Sequence, residues 1–277
     1  MLGAMTGDII GSVYEFNNLR RKDFEPLFHP DSKFTDDTVC TVAIADALLH
    51  DKEPAATLRD WCERYWSNGG WGKQFARWLA KGKNEPYNSF GNGSAMRVSA
   101  AAWLAKDYEH AMALAHKVTV ITHNHPEGIK GAQATTAAIY WAIHGASPAQ
   151  IRANVGSLFG YDLTRSVDDI RANNPRSEAC QHTVPEAITC AVEASNFEDA
   201  IRNAISIGGD SDTIAAITGS IAEALFGIPA GLQETTSAYL PEDMQTVVSS
   251  FYFGRGARST TTRQSISRFY LVATSEP

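Results

Sequence analysis

The chain has 277 residues, 44% hydrophobic and 20% charged, with a formal net charge of −7. That is ample apolar material for a well-buried core, and the acidic balance argues against a broad basic face, so stable nucleic-acid binding is not expected. No run approaches the ~18 apolar residues of a membrane span, and the opening MLGAMTGDIIGSVYEF lacks the basic start and sustained apolar stretch of a signal peptide. These features predict a cytoplasmic protein.

Helical periodicity dominates from the N-terminus onward. The first segment, Thr6 to Glu15, carries Asp8, which reads as a helix-start residue without an assigned role, and Glu15, which by default would be a surface acid. Val39 to Leu49 predicts a helix, and Trp71, Phe75, Trp78 and Leu79 fall on one face of another. Ala95 to Ala105 and Gly131 to Ile143 predict two more, while Val118 to Ile121 is β-branched but continues an alanine-rich helical pattern. Pro148 and Pro229 sit where a first-turn proline starts a helix. Phe159 to Ser177 is rich in turn residues and reads as a surface excursion. Helices are expected over Pro185 to Ala194 and Glu198 to Ile207. Ile214, Ile217, Ile221 and Leu225 share a face of the next helix, and Ala215, Ala216, Gly219 and Ala222 permit close approach of a neighbour. The tail, Ser259 to Pro277, is polar and β-leaning. Cys40, Cys62, Cys180 and Cys190 form no C-x-x-C pair, so buried free thiols are expected. The expected fold is one all-α domain over residues 1–277, with a polar centre built from facing helices.

Two short clusters carry the chemistry. Thr35-Asp36-Asp37-Thr38 precedes the helix at Val39, and Gly208-Gly209-Asp210-Ser211-Asp212-Thr213 precedes the helix at Ile214. Helix capping accounts for one acid or threonine at each start. It does not account for two compact acidic sets. Four carboxylates in one pocket would repel each other and their pKa values would rise; divalent cations remove that penalty. Asp and Thr offer hard oxygen ligands, which select magnesium, or manganese or calcium, over zinc or copper. Between the clusters lies Phe90-Gly91-Asn92-Gly93-Ser94-Ala95-Met96-Arg97, a glycine-rich entry that suits a phosphate or is a plain turn. Thr122-His123-Asn124-His125-Pro126-Glu127-Gly128 suggests substrate contact or polar packing rather than metal ligation.

Taken in order, GAMTGDIIGSVYE, FTDDT, FGNGSAMR, THNHPEGIKGA and IGGDSDTIAAITGSIAEALFG resemble the ADP-ribosylglycohydrolase family, over roughly residues 1 to 230. The resemblance implies an all-helical fold with two magnesium ions in a central cleft, manganese being a possible substitute. Thr35, Asp36 and Asp37 would serve one ion; Asp210, Asp212 and Thr213 would serve the other, with Asp212 bridging. Glu15, Asp36, Asp37 and Asp212 are the candidate catalytic carboxylates. Gly91, Asn92, Gly93, Ser94 and His123 are the candidate substrate contacts, along the pyrophosphate and the ribose. The implied reaction frees ADP-ribose from a modified protein or other conjugate by glycosidic cleavage, carried out by a monomer. A two-metal nucleotide phosphohydrolase and a non-catalytic binding or immunity protein are the rival readings. The second is disfavoured because Met1 directly precedes the first core helix, leaving no plugging arm.

Overall fold

The computed structural model of the chain describes residues 1–82 and 85–256. In chain order its helices are α1 (Leu2–Gly11), α2 (Asp36–Leu49), α3 (Pro54–Arg64), α4 (Lys73–Lys81), α5 (Gly93–Met96), α6 (Ser99–Leu104), α7 (Tyr108–Thr119), α8 (Pro126–Ile143), α9 (Pro148–Phe159), α10 (Val167–Ala172), α11 (Cys180–Val192), α12 (Phe197–Ser206), α13 (Ser211–Phe226), α14 (Ala230–Tyr239) and α15 (Glu242–Gly256). Among the described residues the strand-like content is one isolated bridge, Gly91 to Ala179, so the all-α expectation is met. The β-leaning tail from Ser259 falls outside the described residues. No helix among them is long and apolar enough to cross a membrane.

The centre of the fold is the pair α1 and α13. Every residue of α1 is buried, and α13 is buried from Ser211 to Glu223. They run antiparallel with their backbones in contact. A Cβ on Gly3 would lie 2.2 Å from the Gly219 carbonyl oxygen, one on Gly7 would lie 2.0 Å from that of Ala215, and one on Gly11 would lie 2.5 Å from the Asp212 Cα. Glycines spaced by four residues occupy one helix face, so the face is a groove into which α13 settles. Each glycine costs roughly 1 kcal/mol of helix propensity, which the burial of the whole crossing offsets. This crossing brings the end of α1 against the start of α13, where α2 also begins. Helices α2, α5, α8, α11 and α12 surround α13, and Met5, Ile9, Val39, Ile188, Ile201 and Ile217 fill the space between them.

Several expectations needed correction. The helix expected over Ala95 to Ala105 breaks between α5 and α6, and the break turns Arg97 into the interior, 1% exposed. Pro185 does not start its helix. It lies inside α11, five residues beyond Cys180. The carbonyl its ring cannot satisfy belongs to Gln181, in an exposed part of the helix that water reaches. Trp71 precedes α4 rather than lying in it, and its ring packs between Trp66 and Phe75. The excursion from Phe159 to Ser177 is more ordered than its turn residues imply. It contains α10, started by a Ser166–Asp169 capping box, and buries Tyr161, Leu163, Val167 and Ile170. The four cysteines are free and buried, as expected.

Glu186 on α11 couples the fold to pH. Its carboxyl lies 3.5 Å from the Arg165 guanidinium, yet burial pushes it from the ordinary 4.5 up to about 7. Between those values the folded state holds a proton that the unfolded chain has lost, so stability is full below 4.5 and falls as pH rises towards 7. Glu186→Gln is expected to unfold at a higher temperature than the parent at pH 8 and at a similar temperature near pH 4.5, as read by thermal scans. A variant less stable at pH 8 would show that the Arg165 contact outweighs burial.

Candidate metal and substrate site

Three helix ends meet in one buried region. Asp8, on the last turns of α1, is completely buried. Its Oδ2 accepts from the backbone N–H of Thr35 (2.9 Å) and of Thr38 (3.0 Å), and its Oδ1 accepts from the Thr35 hydroxyl (2.7 Å). Thr35 in turn caps α2, accepting from the Asp37 N–H at 3.3 Å. Thr35 and Asp8 therefore meet the free N–H groups of Asp37 and Thr38 at the start of α2. Capping explains Thr35 and leaves Asp36 and Asp37 for other work. Asp36 Oδ1 accepts from the Gly70 N–H (2.9 Å), and Asp37 Oδ2 accepts from the Thr213 hydroxyl (3.2 Å). The buried Asp37 Oδ1 has no hydrogen-bond partner among the described residues. An orphaned buried carboxylate oxygen asks for a cation or a proton.

The start of α13 is held from outside the helix. Gly208 and Gly209 take φ of +66° and +86°, which only glycine adopts readily, and so make the sharp entry that their pairing predicts. Asn18 clamps this turn, accepting from the Gly209 N–H and donating to its carbonyl (2.8 and 2.9 Å). Arg20 donates to the carbonyls of Ile207 and Asn174 (2.8 and 2.9 Å). Asp210 occupies the N-cap position but makes no side-chain cap. Its Oδ2 instead accepts from Asn92 Nδ2 at 2.6 Å, and Asn92 also donates to Thr183 at 3.3 Å. Asn92, expected beside the substrate, thus positions a carboxylate of the cluster.

Two carboxylate triplets result. One oxygen each of Asp8, Asp37 and Asp212 lie within 4.8 Å of one another, and so do those of Glu15, Asp210 and Asp212. Asp212 belongs to both. Asp36 stands beside the triplets rather than within them, and Thr213 ties the first triplet to α13. Burial raises the affinity of all these groups for protons. Asp8 is pushed up to about 6 despite its three hydrogen bonds. Asp37 and Asp212 are driven well above the carboxylate range by burial and then by their acidic neighbours. Burial raises Glu15 as well, although Arg176 partly opposes it by donating to its carboxylate and to its carbonyl, both at 2.7 Å. Oxygen-only donors, short mutual distances and an unsatisfied oxygen fit a pair of hard divalent cations.

The glycine-rich loop lies beside this centre. Gly91 bridges Ala179, and the Ser94 hydroxyl is spent on the Gly128 carbonyl at 2.9 Å. A Cβ on Gly93 or Gly91 would lie 3.4 or 3.7 Å from Nε2 of the buried His123, so the two glycines keep side-chain atoms off that nitrogen. His125 serves the fold, because its Nδ1 accepts from the Glu127 N–H at 3.1 Å and caps α8. Reading the sequence missed Asp8, Asn18, Asn174 and Arg176. Asp8 follows a glycine in a run that looked like plain helix, and the other three act only through contacts between distant segments. Asn92→Ala is expected to release Asp210 and weaken magnesium or manganese binding by roughly 10- to 100-fold, read by calorimetric titration. Unchanged affinity would show that Asn92 does not orient the ligand.

The fold and site together define a class: an all-helical protein whose centre is a buried set of carboxylates poised for cations. The family is shown by comparison, since the ADP-ribosylglycohydrolase family model matches residues 1–258. The chain belongs to the ADP-ribosylglycohydrolase family and is a glycohydrolase. ADP-ribosylarginine hydrolase Tri1 of Pseudomonas putida (strain GB-1) is 26% identical over 268 residues, which covers 82% of this chain and 70% of that protein. ADP-ribosylhydrolase ARH3 of Homo sapiens is 25% identical over 327 residues, covering 88% and 90%. A solved structure described as an ADP-ribosylglycohydrolase-related protein complex shares the fold, with a TM-score of 0.68 at 22% identity over 91% of this chain and 96% of its own.

Proposed function

We propose that this protein hydrolyses the glycosidic bond between ADP-ribose and a modified protein side chain or other acceptor, releasing ADP-ribose, with two magnesium ions bound at the carboxylate triplets. The observation that carries this reading is the sharing of Asp212 between two groups of acids drawn from α1, α2 and α13 and from the segments just after α1 and just before α13. Asp37 and Asp212, with Asp8 behind them, would hold one ion; Asp210, Asp212 and Glu15 would hold the other. Thr35, Asp36 and Thr213 stand at the edges of this set. When bound, the ions would supply Lewis-acid attachment for the hydroxyls of the ribose and so orient the sugar.

The remaining work falls to the side chains. Cleavage passes through an oxocarbenium-like state, so a carboxylate beside the sugar stabilises the developing positive charge, and a second activates water. The Asp8–Asp37–Asp212 group is buried, whereas the Glu15 side chain retains 20% exposure. Glu15 is thus the carboxylate of the two triplets that water and substrate reach first. Arg176 holds Glu15 by both its carboxylate and its carbonyl, fixing its direction. His123 Nε2 and the Gly91–Gly93 loop beside it would take a polar part of the nucleotide.

A panel of arginine-linked, serine-linked and small-molecule ADP-ribosyl conjugates tests the reading, assayed by chromatography with magnesium, with manganese and with EDTA. Free ADP-ribose from at least one conjugate, lost with EDTA and restored by magnesium, is the expected result. AMP or inorganic phosphate would replace it with phosphoester chemistry. ADP-ribose binding with no turnover of any conjugate would leave a binding protein.

A further inference from the structure

Arg97 is a buried cation without an anion. It is 1% exposed, and no carboxylate lies within ion-pair distance of it among the described residues. Its guanidinium donates to the Thr122 hydroxyl at 2.7 Å and, at 3.4 Å, to the carbonyl of Val118 in the last turn of α7. Its Nε has no hydrogen-bond partner there. Removing such a charge from water is costly, and the negative end of a helix returns only part of the loss. A methionine or leucine would fill the volume at lower cost. The charge therefore points to a role among its neighbours.

That role is legible in the next two contacts. Thr122 is 0% exposed, and its hydroxyl oxygen lies 2.8 Å from His123 Nδ1. A hydroxyl carries one proton and two lone pairs. Arg97 occupies a lone pair. The proton is then satisfied if it is donated to Nδ1, whereas an Nδ1–H pointing at Thr122 would turn the hydroxyl proton into a buried space with no acceptor. With Nδ1 accepting, a neutral ring carries its proton on Nε2. Nε2 is the atom of His123 that faces Gly91 and Gly93. Burial, and then the Arg97 charge, hold the ring well below the usual histidine range, so it stays neutral.

We propose that Arg97 is a positioning residue, acting through Thr122 to hold His123 as the Nε2–H tautomer, so that an uncharged N–H donor faces the Gly91–Gly93 loop. Resting on the glycohydrolase reading, the oxygen it serves is one on the diphosphate or ribose of the bound nucleotide. A donor fixed in this way keeps its proton through the neutral pH range and needs no reorganisation when the anion arrives.

The test needs no substrate. Long-range proton–nitrogen spectra of the protein labelled with ¹⁵N-histidine distinguish the two neutral tautomers and the imidazolium. The His123 signals are assigned by their loss in His123→Gln. The expected result is the Nε2–H pattern, unchanged from pH 5.5 to 8. Thr122→Val, nearly isosteric, is expected to give a mixed or Nδ1–H pattern, and Thr122→Ser to restore the original. Arg97→Met, which frees both lone pairs of Thr122, is expected to give a mixture. Nδ1–H or imidazolium in the parent protein would overturn the proposal, as would an unchanged pattern in Thr122→Val; an unchanged pattern in a folded Arg97→Met would remove Arg97 from it. Should Arg97→Met fail to fold, the parent and the two Thr122 variants decide. If the conjugate panel yields no ADP-ribose while the tautomer is as stated, the glycohydrolase reading fails and the relay stands.

Discussion

Replacing Asp212 by alanine is expected to lower ADP-ribose release by a factor on the order of 10²–10⁴. Asp212 is the carboxylate common to both triplets, so its loss leaves each of them with two acids instead of three. The same substitution should stabilise the metal-free protein. In the fold Asp212 is pushed well above the carboxylate range by burial and by Asp210 and Glu15. Between its ordinary and its raised value the folded state retains a proton that the unfolded chain has released, so stability falls as pH rises through that window. Deleting the group removes the fall. The expected signature is a higher unfolding temperature than the parent in EDTA at pH 8, a diminished further rise on adding magnesium, and almost no turnover. Misfolding would move stability the other way. Near-normal release by Asp212→Ala would sink the assignment of the triplets to catalysis.

The second large effect concerns the central crossing. Gly7→Val is expected to destabilise the protein by at least ~3 kcal/mol, lowering the unfolding temperature by roughly 6–12 °C. A Cβ at Gly7 would stand 2.0 Å from the Ala215 carbonyl oxygen, well inside any allowed contact. Both partners are backbone in buried stretches of their helices, so neither can turn aside, and α1 and α13 must separate. That separation moves Asp8 away from Asp212, so metal affinity should fall with stability. Gly231→Ala is the control. It lies in α14 with nothing within 4 Å of the added carbon, and it should be neutral or slightly stabilising. Circular-dichroism melting of the two variants beside the parent decides the matter, and equal melting temperatures would refute backbone contact as the organiser of the site.

Much of the fold was legible because its signals are local. Periodic apolar positions marked α2, α8, α12 and α13, and the small residues of α13 announced a close neighbour. Which neighbour it was could not be read, because the glycines of α1 look like weak helix until a second backbone fills their groove. The break at Arg97 and the early start of α11 were missed for a related reason. In each case a buried or solvated partner overrode the local propensity of the chain.

The candidate site divides along the same line. By itself the sequence determined the ligand chemistry. Asp36, Asp37, Asp210 and Asp212 at two helix starts, a Gly-Gly entry and no thiolate among them specify hard oxygen donors, since residue type alone sets donor softness. Only the tertiary structure decided which oxygens meet. It drew in Asp8, brought Glu15 beside Asp210 and Asp212, set Asp36 at the edge, and turned Asn92 and Arg176 into clamps on carboxylates. Electrostatic repulsion and hydrogen bonding act over a few ångströms of space, whatever the distance along the chain. The helix crossing that brings residues 8, 37 and 212 within that range is a property of packing.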